Sequence, residues 1–419
     1  MIDIRRLATN PETYAAELKK RSLDPNVATE AKQKYERLTS SKQTLDELRE
    51  KKNEFNKTIL TLNEADKKAA IEKMQTNAKD IKKLENEVKQ LEEDLAALVY
   101  QIPNLTWSDI PVGADDSANV ETATFGERPE FNFAPKHYYE LPCFLRDYQA
   151  RQGVAAAGAR GYYLTGKLAL LQRALFRYVE DKVIEAGFNY VIPPVMVNED
   201  VMYGTGFFPS SKNDFYTVNP GQDDLYLVGS SEPSLIYLLQ GQKLDLDEPR
   251  LLSANTTCFR REAGSYGQDT KGGIRVHQFE KIELVAVCKP EQSPEVFDVL
   301  TDFFTARTRE LGLYVHHLEV SSGDISLKNH RQIDIEAWFP AQNKFRELCS
   351  SSNCTDYQTR NLKIRYATDQ GGFGLAHSLN CTGVTNRTMF AILEQFQQAD
   401  GSVIIPEVLV PYAGFDTLS

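Results

Sequence analysis

The sequence lacks the features that define several classes of protein. No run of about 18 apolar residues occurs in its 419 residues, so we expect no membrane-spanning helix. The N-terminus has neither the apolar stretch of a signal peptide nor the Arg-rich, acid-poor composition of a transit peptide. The six cysteines show no CxxC spacing and the six histidines are scattered, which argues against a zinc site. We therefore expect a cytoplasmic protein with free, buried thiols.

Basic residues are also in the minority. The chain has 48 Lys and Arg against 59 Asp and Glu, for a net charge of −11. Since phosphate binding requires Lys and Arg, this balance taken alone argues against a nucleic-acid partner. The length predicts two or three domains with a large core.

Residues 27–100 contain no Gly and no Pro, and their apolar residues recur at intervals of seven in two blocks. The first block comprises Ala31, Leu38, Leu45 and Ile59, flanked by Tyr35, Leu48, Phe55 and Leu62. The second comprises Met74, Ile81, Val88 and Leu95, flanked by Ile71, Ala78, Leu84, Leu91 and Leu98, with one shift of the seam near Leu84.

The two blocks predict an antiparallel helical hairpin. Asn63 and Asp66 lie between them, where we expect a turn and a helix N-cap. About 35 residues per arm give a length of roughly 50 Å, and such an arm should project from a body. Residues 49–83 contain 10 basic and 6 acidic side chains, so the distal half of the arm has a local positive charge despite the acidic total.

The rest of the chain predicts an α+β fold. Residues 101–160 are rich in Pro, Asp and Asn and are interpreted as a linker that runs into edge structure. An amphipathic helix is predicted over 168–186, ending at Gly187, followed by a short strand over 190–192. Further strands are predicted over 225–228, 279–287, 333–339 and 403–405, without regular βαβ spacing, which favours an antiparallel sheet.

Residues 256–284 combine a strand, a Gly-rich loop and a second strand. The spacing allows several charged or aromatic side chains to share one face: Arg260, Glu262, Arg275, Phe279 and Glu283. Such a group is costly to bury unless a ligand satisfies it, which favours a binding site. A surface hairpin with ion pairs is the alternative.

This segment, FRREAGSYGQDTKGGIRVHQFEKIEL, resembles motif 2 of the class II aminoacyl-tRNA synthetases, and especially that of the seryl-tRNA synthetase family. Other segments resemble landmarks of that family in the same order. They are the stretch 168–194 (motif 1), MYGTGFFP from Met202, LYLVGSSEPSL from Leu225, FRELCSSSN from Phe345, and the stretch from His377 (motif 3). The N-terminal hairpin resembles the family's tRNA-binding arm, so the resemblance covers essentially the whole chain.

The resemblance implies two domains and one activity. Residues 1–103 would form an N-terminal tRNA-binding coiled-coil domain. Residues 104–419 would form a class II catalytic domain with a central antiparallel sheet flanked by helices, and the protein would be a homodimer. The implied activity is that of a serine–tRNA ligase, which makes seryl-adenylate from L-serine and ATP and transfers serine to the 3′ end of tRNA(Ser). The resemblance leaves open whether tRNA(Sec) is also a substrate.

Two alternatives stay open. A related amino acid:carrier-protein ligase would lack the long arm, which this chain retains. A non-catalytic RNA-binding regulator would have lost the motif arginines, yet Arg260 and Arg387 are present.

The resemblance also implies an ATP site. Arg260 would bridge the serine carboxylate and the α-phosphate, Arg387 would contact the γ-phosphate, and Phe279 would stack on adenine. Arg260, Arg387 and Glu347 would be the catalytic residues, and Glu347 and Ser350 would bind Mg²⁺. The other implied ATP-binding residues are Arg261, Glu262, Arg275, Val276, Leu348 and Cys349.

The implied serine site has two kinds of polar residue. Glu232 and Glu283 would hold the ammonium group, and Asn380 and Thr382 would recognise the hydroxyl. Ser230, Ser231 and Arg260 complete this site. The sequence departs from the family pattern at Gly229, Ser230, Cys349 and Ser351, and the stretch 380–387 is one residue shorter than usual.

Overall fold

The structure, a computed structural model, describes residues 1–59, 63–263, 271–368 and 370–419. Leu62 of the predicted seam and residues 264–270 of the motif 2 segment lie outside the described residues. The chain divides into two units, Met1–Pro103 and Asn104–Ser419. No helix in the described ranges has both the length and the apolar character that crossing a membrane requires.

The first unit is helical. Its helices are α1 (Ile4–Thr9), α2 (Pro11–Lys20), α3 (Asn26–Thr58) and α4 (Glu64–Val99). Asp3 caps α1 by accepting hydrogen bonds from the backbone N–H groups of Arg5 and Arg6. The two short helices that precede the hairpin, α1 and α2, were not predicted from the sequence.

Helices α3 and α4 form the predicted antiparallel hairpin. Ion pairs join Lys34 to Asp94 (2.7 Å), Arg37 to Glu87 (2.8 Å) and Arg49 to Glu85 (2.9 Å). Residue numbers rise along one helix as they fall along the other, as an antiparallel pairing requires. These exposed pairs stabilise the hairpin little, since solvent screens them. The buried seam contributes more, through Ala31, Leu38, Leu45, Ile81, Val88, Leu91 and Leu95.

The second half of the predicted seam is wrong in detail. Ile71 is 39% exposed and Ala78 is also exposed, whereas Asn77 is buried at 8%. The amide Nδ2 of Asn77 donates to the carbonyl of Leu48 on the facing helix (3.1 Å). Positions 74, 77, 81 and 84 follow an unbroken 3–4 spacing, so the shift near Leu84 does not occur. A polar residue at a seam position concealed this register from an apolar pattern.

The predicted start of α4 agrees with the structure at Asn63 and is wrong at Asp66. The helix begins at Glu64, directly after Asn63, so Asp66 lies within it instead of preceding it.

The second unit combines nine further helices with 18 strands in the described residues. The helices are α5 (Pro142–Asp147), α6 (Ala150–Ala157), α7 (Gly166–Glu185), α8 (Glu199–Gly204), α9 (Glu232–Tyr237), α10 (Ser293–Glu310), α11 (Tyr357–Leu362), α12 (Asn386–Gln395) and α13 (Val410–Ala413). The strands are β1 (Val120–Phe125), β2 (Tyr148–Gln149), β3 (Tyr163–Leu164), β4 (Asn189–Tyr190), β5 (Met196–Val197), β6 (Thr217–Val218), β7 (Leu225–Leu227), β8 (Lys243–Leu244), β9 (Arg250–Phe259), β10 (Gln278–Cys288), β11 (Val315–Glu319), β12 (Arg331–Phe339), β13 (Lys344–Thr355), β14 (Arg365–Thr368), β15 (Gly372–Leu375), β16 (His377–Thr385), β17 (Val403–Ile404) and β18 (Thr417–Leu418).

Eight strands form the central sheet in the order β1-β11-β12-β13-β16-β10-β9-β4. All neighbours in it are antiparallel except β4 and β9, which are parallel. Helices α7, α10 and α12 pack against the sheet, and their apolar residues share one core with it. The predicted α+β fold with a central antiparallel sheet flanked by helices is therefore confirmed.

Several local predictions differ from the structure. The strand expected over 190–192 is Asn189–Tyr190, and only the N–H of Val191 extends the pairing, to Ser253 O (2.7 Å). The expected linker contains α5 and α6, and its strand β1 pairs with β11 at the sheet edge. By contrast, α7 agrees with the predicted helix, and Gly187 after it adopts a positive φ of 83°.

Alternation along β10 places the site on one face of the sheet. Ile282 and Leu284 point into the main core, whereas Val285 and Val287 join a second apolar cluster on the opposite side. Residues 279, 281 and 283 share that opposite side, at the end of the strand near the motif 2 loop. All six cysteines are free and buried, as predicted.

Candidate active site

A cleft lies over this end of the sheet and encloses about 440 Å³ of space, part of it open to solvent. Its walls come from β10, β13, β16 and the start of α12, together with the segments that border the motif 2 loop. The residues around it are Arg260, Glu262, Ile274, Val276, Phe279, Lys281, Glu347, Leu348, Thr382, Thr385, Asn386 and Arg387. Eight of these residues were predicted from the sequence to belong to the ATP or serine site. No such prediction was made for Ile274, Lys281, Thr385 and Asn386.

Arg260 follows the last residue of β9 and is half-buried. Its Nε donates to the carbonyl of Gly229 (3.2 Å), and its guanidinium carbon lies 5.3 Å from the centre of the Phe279 ring. The backbone pairing of Phe279 with Cys258 fixes this ring beside the end of β9. Two predicted residues thus form one cation–aromatic unit at the edge of the cleft.

Arg275 and Glu262 face each other across the base of the motif 2 loop. Arg275 Nη1 lies 3.1 Å from Glu262 Oε2, and Glu262 adopts a left-handed backbone conformation with φ of 53°. This conformation is uncommon for a residue with a side chain and often occurs at functional sites.

Arg387 occupies the first turn of α12, where Thr385 Oγ1 accepts a hydrogen bond from its backbone N–H (3.3 Å). Its Nη1 lies 3.1 Å from both the carbonyl oxygen and Oε2 of Glu347. Desolvation raises the pKa of Glu347, but the attraction of Arg387 and Arg260 outweighs it and holds that pKa below its usual value. Glu347 therefore stays ionised between two arginines.

Oxygen ligands suitable for a divalent cation lie along β13. Glu347 and Ser350 are both on this strand, and the Ser350 hydroxyl hydrogen-bonds the carboxyl of Asp334, its register partner on β12. Burial, followed by repulsion from Glu347, raises the pKa of Asp334 to about 8. Hard cations such as Mg²⁺ prefer oxygen ligands such as the Glu347 carboxylate and the Ser350 hydroxyl. In the part of the chain that the structure describes, no three His, Cys, Asp or Glu side chains cluster as a complete metal site.

Deeper in the site, Glu283 and Glu232 are buried, with exposures of 2% and 4%. Ser230 connects them: its hydroxyl donates to Glu283 Oε2 (3.0 Å) and accepts from the backbone N–H of Glu232 (3.1 Å). Lys281 forms an ion pair with Glu283. Burial raises the pKa of the Glu283 carboxyl in spite of this lysine.

Glu232 has two further partners. The ammonium of Lys328 and the side-chain amide of Gln358 (2.8 Å) both contact Glu232 Oε1. Neither Lys281 nor Lys328 was predicted as a partner of the proposed serine-binding carboxylates. Lys281 lies in the EKIEL end of the motif 2 segment, and its i, i+2 spacing to Glu283 on a strand was a usable signal. Lys328 lies in a loop 96 residues from Glu232 along the chain, and no pattern indicates it.

Four other residues that were predicted for the site are not among those that line the cleft: Asn380, Ser231, Cys349 and Arg261. Asn380 is buried, and its amide lies 3.8 Å from the sulfur of Cys354. The hydroxyl of Ser231 is buried without a hydrogen-bond partner in the described residues. The thiol of Cys349 is 3.5 Å from that of Cys381. Arg261 is exposed and lies outside the set of cleft residues, although its backbone N–H donates to Asp214 O (2.8 Å).

Two family models match the chain. The model for the seryl-tRNA synthetase N-terminal domain matches residues 1–106, and the model for the tRNA synthetase class II core domain (G, H, P, S and T) matches residues 215–396.

The chain is similar to known proteins over its whole length. It is 37% identical to a serine–tRNA ligase of Campylobacter jejuni, over 98% of this chain and all of that protein. It is 38% identical to the serine–tRNA ligase of Aliarcobacter butzleri, with the same coverage. The crystal structure of seryl-tRNA synthetase from Pyrococcus horikoshii complexed with ATP superimposes with a TM-score of 0.91 at 32% identity, covering 100% of this chain and 99% of that one. This chain therefore belongs to the seryl-tRNA synthetase family.

Proposed function

We propose that this protein activates L-serine with ATP and transfers the seryl group to the 3′ end of tRNA(Ser). The observation that carries this proposal is full-length membership of the family together with one cleft that contains both Arg260 and Arg387. The carrier-protein alternative is disfavoured by the retained α3–α4 hairpin, and the non-catalytic alternative by the retained arginines.

In the first step the serine carboxylate attacks the α-phosphorus of ATP, a new C–O–P linkage forms, and pyrophosphate leaves. No enzyme nucleophile is needed, so the protein acts by positioning the reactants and by stabilising charge. Arg260 is suited to both tasks because one guanidinium can contact a carboxylate and a phosphate oxygen together. Its contacts with Gly229 and Phe279 hold it at the border between the deeper carboxylates and the cleft.

The remainder of the cleft is assigned to the nucleotide. Phe279 would stack on adenine, and Glu262 would lie near the adenine amino group or the end of the tRNA. Arg275, which Glu262 holds, would contact a phosphate, and Arg387 would contact the γ-phosphate. We expect the backbone near Val276, Leu348, Cys349 and Arg261 to complete this site.

Mg²⁺ fits the oxygen ligands on β13, and we propose that Glu347 and Ser350 would hold it. A bound divalent cation would neutralise phosphate charge and orient the pyrophosphate leaving group. With so few protein ligands in the described residues, phosphate and water oxygens would fill the rest of its coordination shell.

Serine selection is assigned to the buried polar residues below the cleft. Glu232 and Glu283 would attract the α-ammonium, and Asn380 and Thr382 would recognise the hydroxyl, with Ser230 and Ser231 beside them. The buried Ser231 hydroxyl supports this assignment, since an unsatisfied polar group gains from a ligand that pairs with it. Alanine, which lacks the hydroxyl, would leave such groups unpaired and be rejected.

We assign tRNA binding to residues 1–103 and catalysis to residues 104–419, and we propose that the enzyme acts in the cytoplasm as a homodimer. The positive distal half of the hairpin supports the first assignment, since lysines on a helical arm attract phosphates at long range. In the second step a ribose hydroxyl at the tRNA 3′ end attacks the seryl carbonyl and AMP leaves. An aminoacylation assay with tRNA(Sec) would show whether that tRNA is also charged.

The test is ATP–pyrophosphate exchange with each of the 20 amino acids. We expect exchange that depends on serine, with at most weak exchange for alanine and threonine. Absence of serine-dependent exchange by folded protein would refute the proposal, and exchange without subsequent tRNA charging would favour the carrier-protein ligase.

A further inference from the structure

A buried lysine contacts the amino-acid site without belonging to any of the residues assigned above. Lys328 is 7% exposed, and its ammonium contacts Glu232 Oε1 and lies 4.3 Å from the centre of the Phe207 ring. It comes from the loop between β11 and β12, whereas Glu232 begins α9. Burial lowers the pKa of a lysine, but the neighbouring Glu232 outweighs that effect here and raises the pKa of Lys328. Lys328 is therefore a charged, fixed group.

The partners of Glu232 restrain its carboxylate. In the described part of the chain, the side-chain contacts to Glu232 fall on Oε1, from Lys328 and from Gln358. Gln358 is itself fixed, because its Nε2 also donates to Thr205 O (2.8 Å) and its Oε1 accepts from Ser378 Oγ (2.8 Å). These contacts select one orientation of the carboxylate and leave Oε2 as the oxygen able to accept from a substrate.

Four buried charged side chains, in two ion pairs, lie in the deeper part of this site. Lys281 pairs with Glu283, and Lys328 pairs with Glu232, so the two pairs together are neutral. Without Lys328, Glu232 would be a buried carboxylate that has lost its ion-pair partner and one of the two side-chain contacts that orient it, which is a costly arrangement.

We propose that Lys328 is a positioning residue for amino-acid selection: it supplies the ion-pair partner of Glu232 and orients the carboxylate so that Oε2 receives the α-ammonium of the substrate. The proposal rests on the proposed function, since it takes serine as the ligand of this site. It distinguishes Glu232, which would contact the substrate, from Lys328, which acts through Glu232.

Replacement of Lys328 should have opposite effects on the serine KM in the wild-type chain and in the Glu232→Gln variant. Lys328→Met should raise the serine KM about tenfold with little change in kcat or in the ATP KM. Glu232→Gln should raise the serine KM further, because an unpaired ammonium then faces the substrate's ammonium. Glu232→Gln combined with Lys328→Met removes both charges, so its serine KM should be about tenfold lower than that of Glu232→Gln alone.

A merely structural lysine would give a different result. Loss of its packing would add to the defect of Glu232→Gln, and the double variant would be worse than the single one. Lys289→Met is the matched control, since Lys289 pairs with Asp247 at a surface site (2.8 Å) and should leave the serine KM unchanged. Thermal melts establish that each variant is folded.

The outcomes separate this proposal from the proposed function. Serine-dependent exchange by the wild-type protein tests the function. With that activity present, a double variant no better than Glu232→Gln overturns the role of Lys328. Where Glu232→Gln does not fold, the folded Lys328→Met variant decides alone: an unchanged or lowered serine KM overturns the proposal.

Discussion

Replacement of Arg260 by alanine should reduce serine activation strongly while leaving the fold intact. The side chain makes one hydrogen bond to Gly229 and one cation–aromatic contact with Phe279 in the structure, so its loss should lower the free energy of unfolding by only about 1 kcal/mol. Its two proposed substrate contacts, to the serine carboxylate and the α-phosphate, are charge-assisted and contribute about 1.5–3 kcal/mol each. Their loss should reduce kcat/KM for exchange by about 10² to 10⁴, at tenfold per 1.4 kcal/mol.

The assay is ATP–pyrophosphate exchange at saturating ATP, with the serine concentration varied. Arg250→Ala is the matched control, because Arg250 begins the same strand β9, whose far end leads to Arg260, and it is exposed. Exchange by folded Arg260→Ala within tenfold of wild type would refute the assigned role. A parallel loss in Arg250→Ala would show that damage to β9, not loss of the contacts, caused the effect.

Three further predictions concern other parts of the chain. Arg387→Ala should raise the ATP KM of exchange about 100-fold while the serine KM changes little, because Arg387 lies beside Glu347 and not beside Glu232 and Glu283. Equal increases in the ATP KM and the serine KM would contradict this prediction. Deletion of residues 30–98 should leave serine activation in place and abolish tRNA charging; unchanged charging would show that the hairpin is not the tRNA-binding element. Burial lowers the pKa of His317 from 6.5 to about 4. Between these pH values the unfolded chain binds a proton at His317 that the folded chain does not bind. The free energy of unfolding should therefore fall as the pH drops from 6.5 to 4, by up to about 3 kcal/mol. His317→Gln, which retains an amide for Thr305, should flatten the dependence of the melting temperature on pH in that window, and an identical slope would count against the assignment.

Patterns of local origin were predictable from the sequence. The hairpin follows from a heptad repeat without Gly or Pro, and α7 follows from its amphipathic period and the glycine after it. The strand–loop–strand outline around Arg260 likewise follows from apolar runs on either side of a Gly-rich segment. In each case the residues that determine the element are neighbours in the sequence.

Features set by distant contacts were not predictable in this way. Asn77 occupies a seam position because Leu48 on the facing helix accepts its hydrogen bond, and a polar residue gives no apolar signal. The pairing of Lys328 with Glu232 depends on how a loop after β11 meets the start of α9. The strand β1 and helices α5 and α6 lie in a Pro-rich stretch, where tertiary pairing overrides weak local propensity.

This chain is expected to attach serine to tRNA(Ser). The most direct measurement is aminoacylation of purified tRNA(Ser) by the full-length protein with ATP, Mg²⁺ and radiolabelled serine, alanine or threonine in parallel reactions. We predict that serine alone is transferred efficiently, and that removal of the tRNA 3′-terminal adenosine abolishes the transfer. Efficient charging with a different amino acid, or exchange with serine but no charging by folded protein, would contradict the claim.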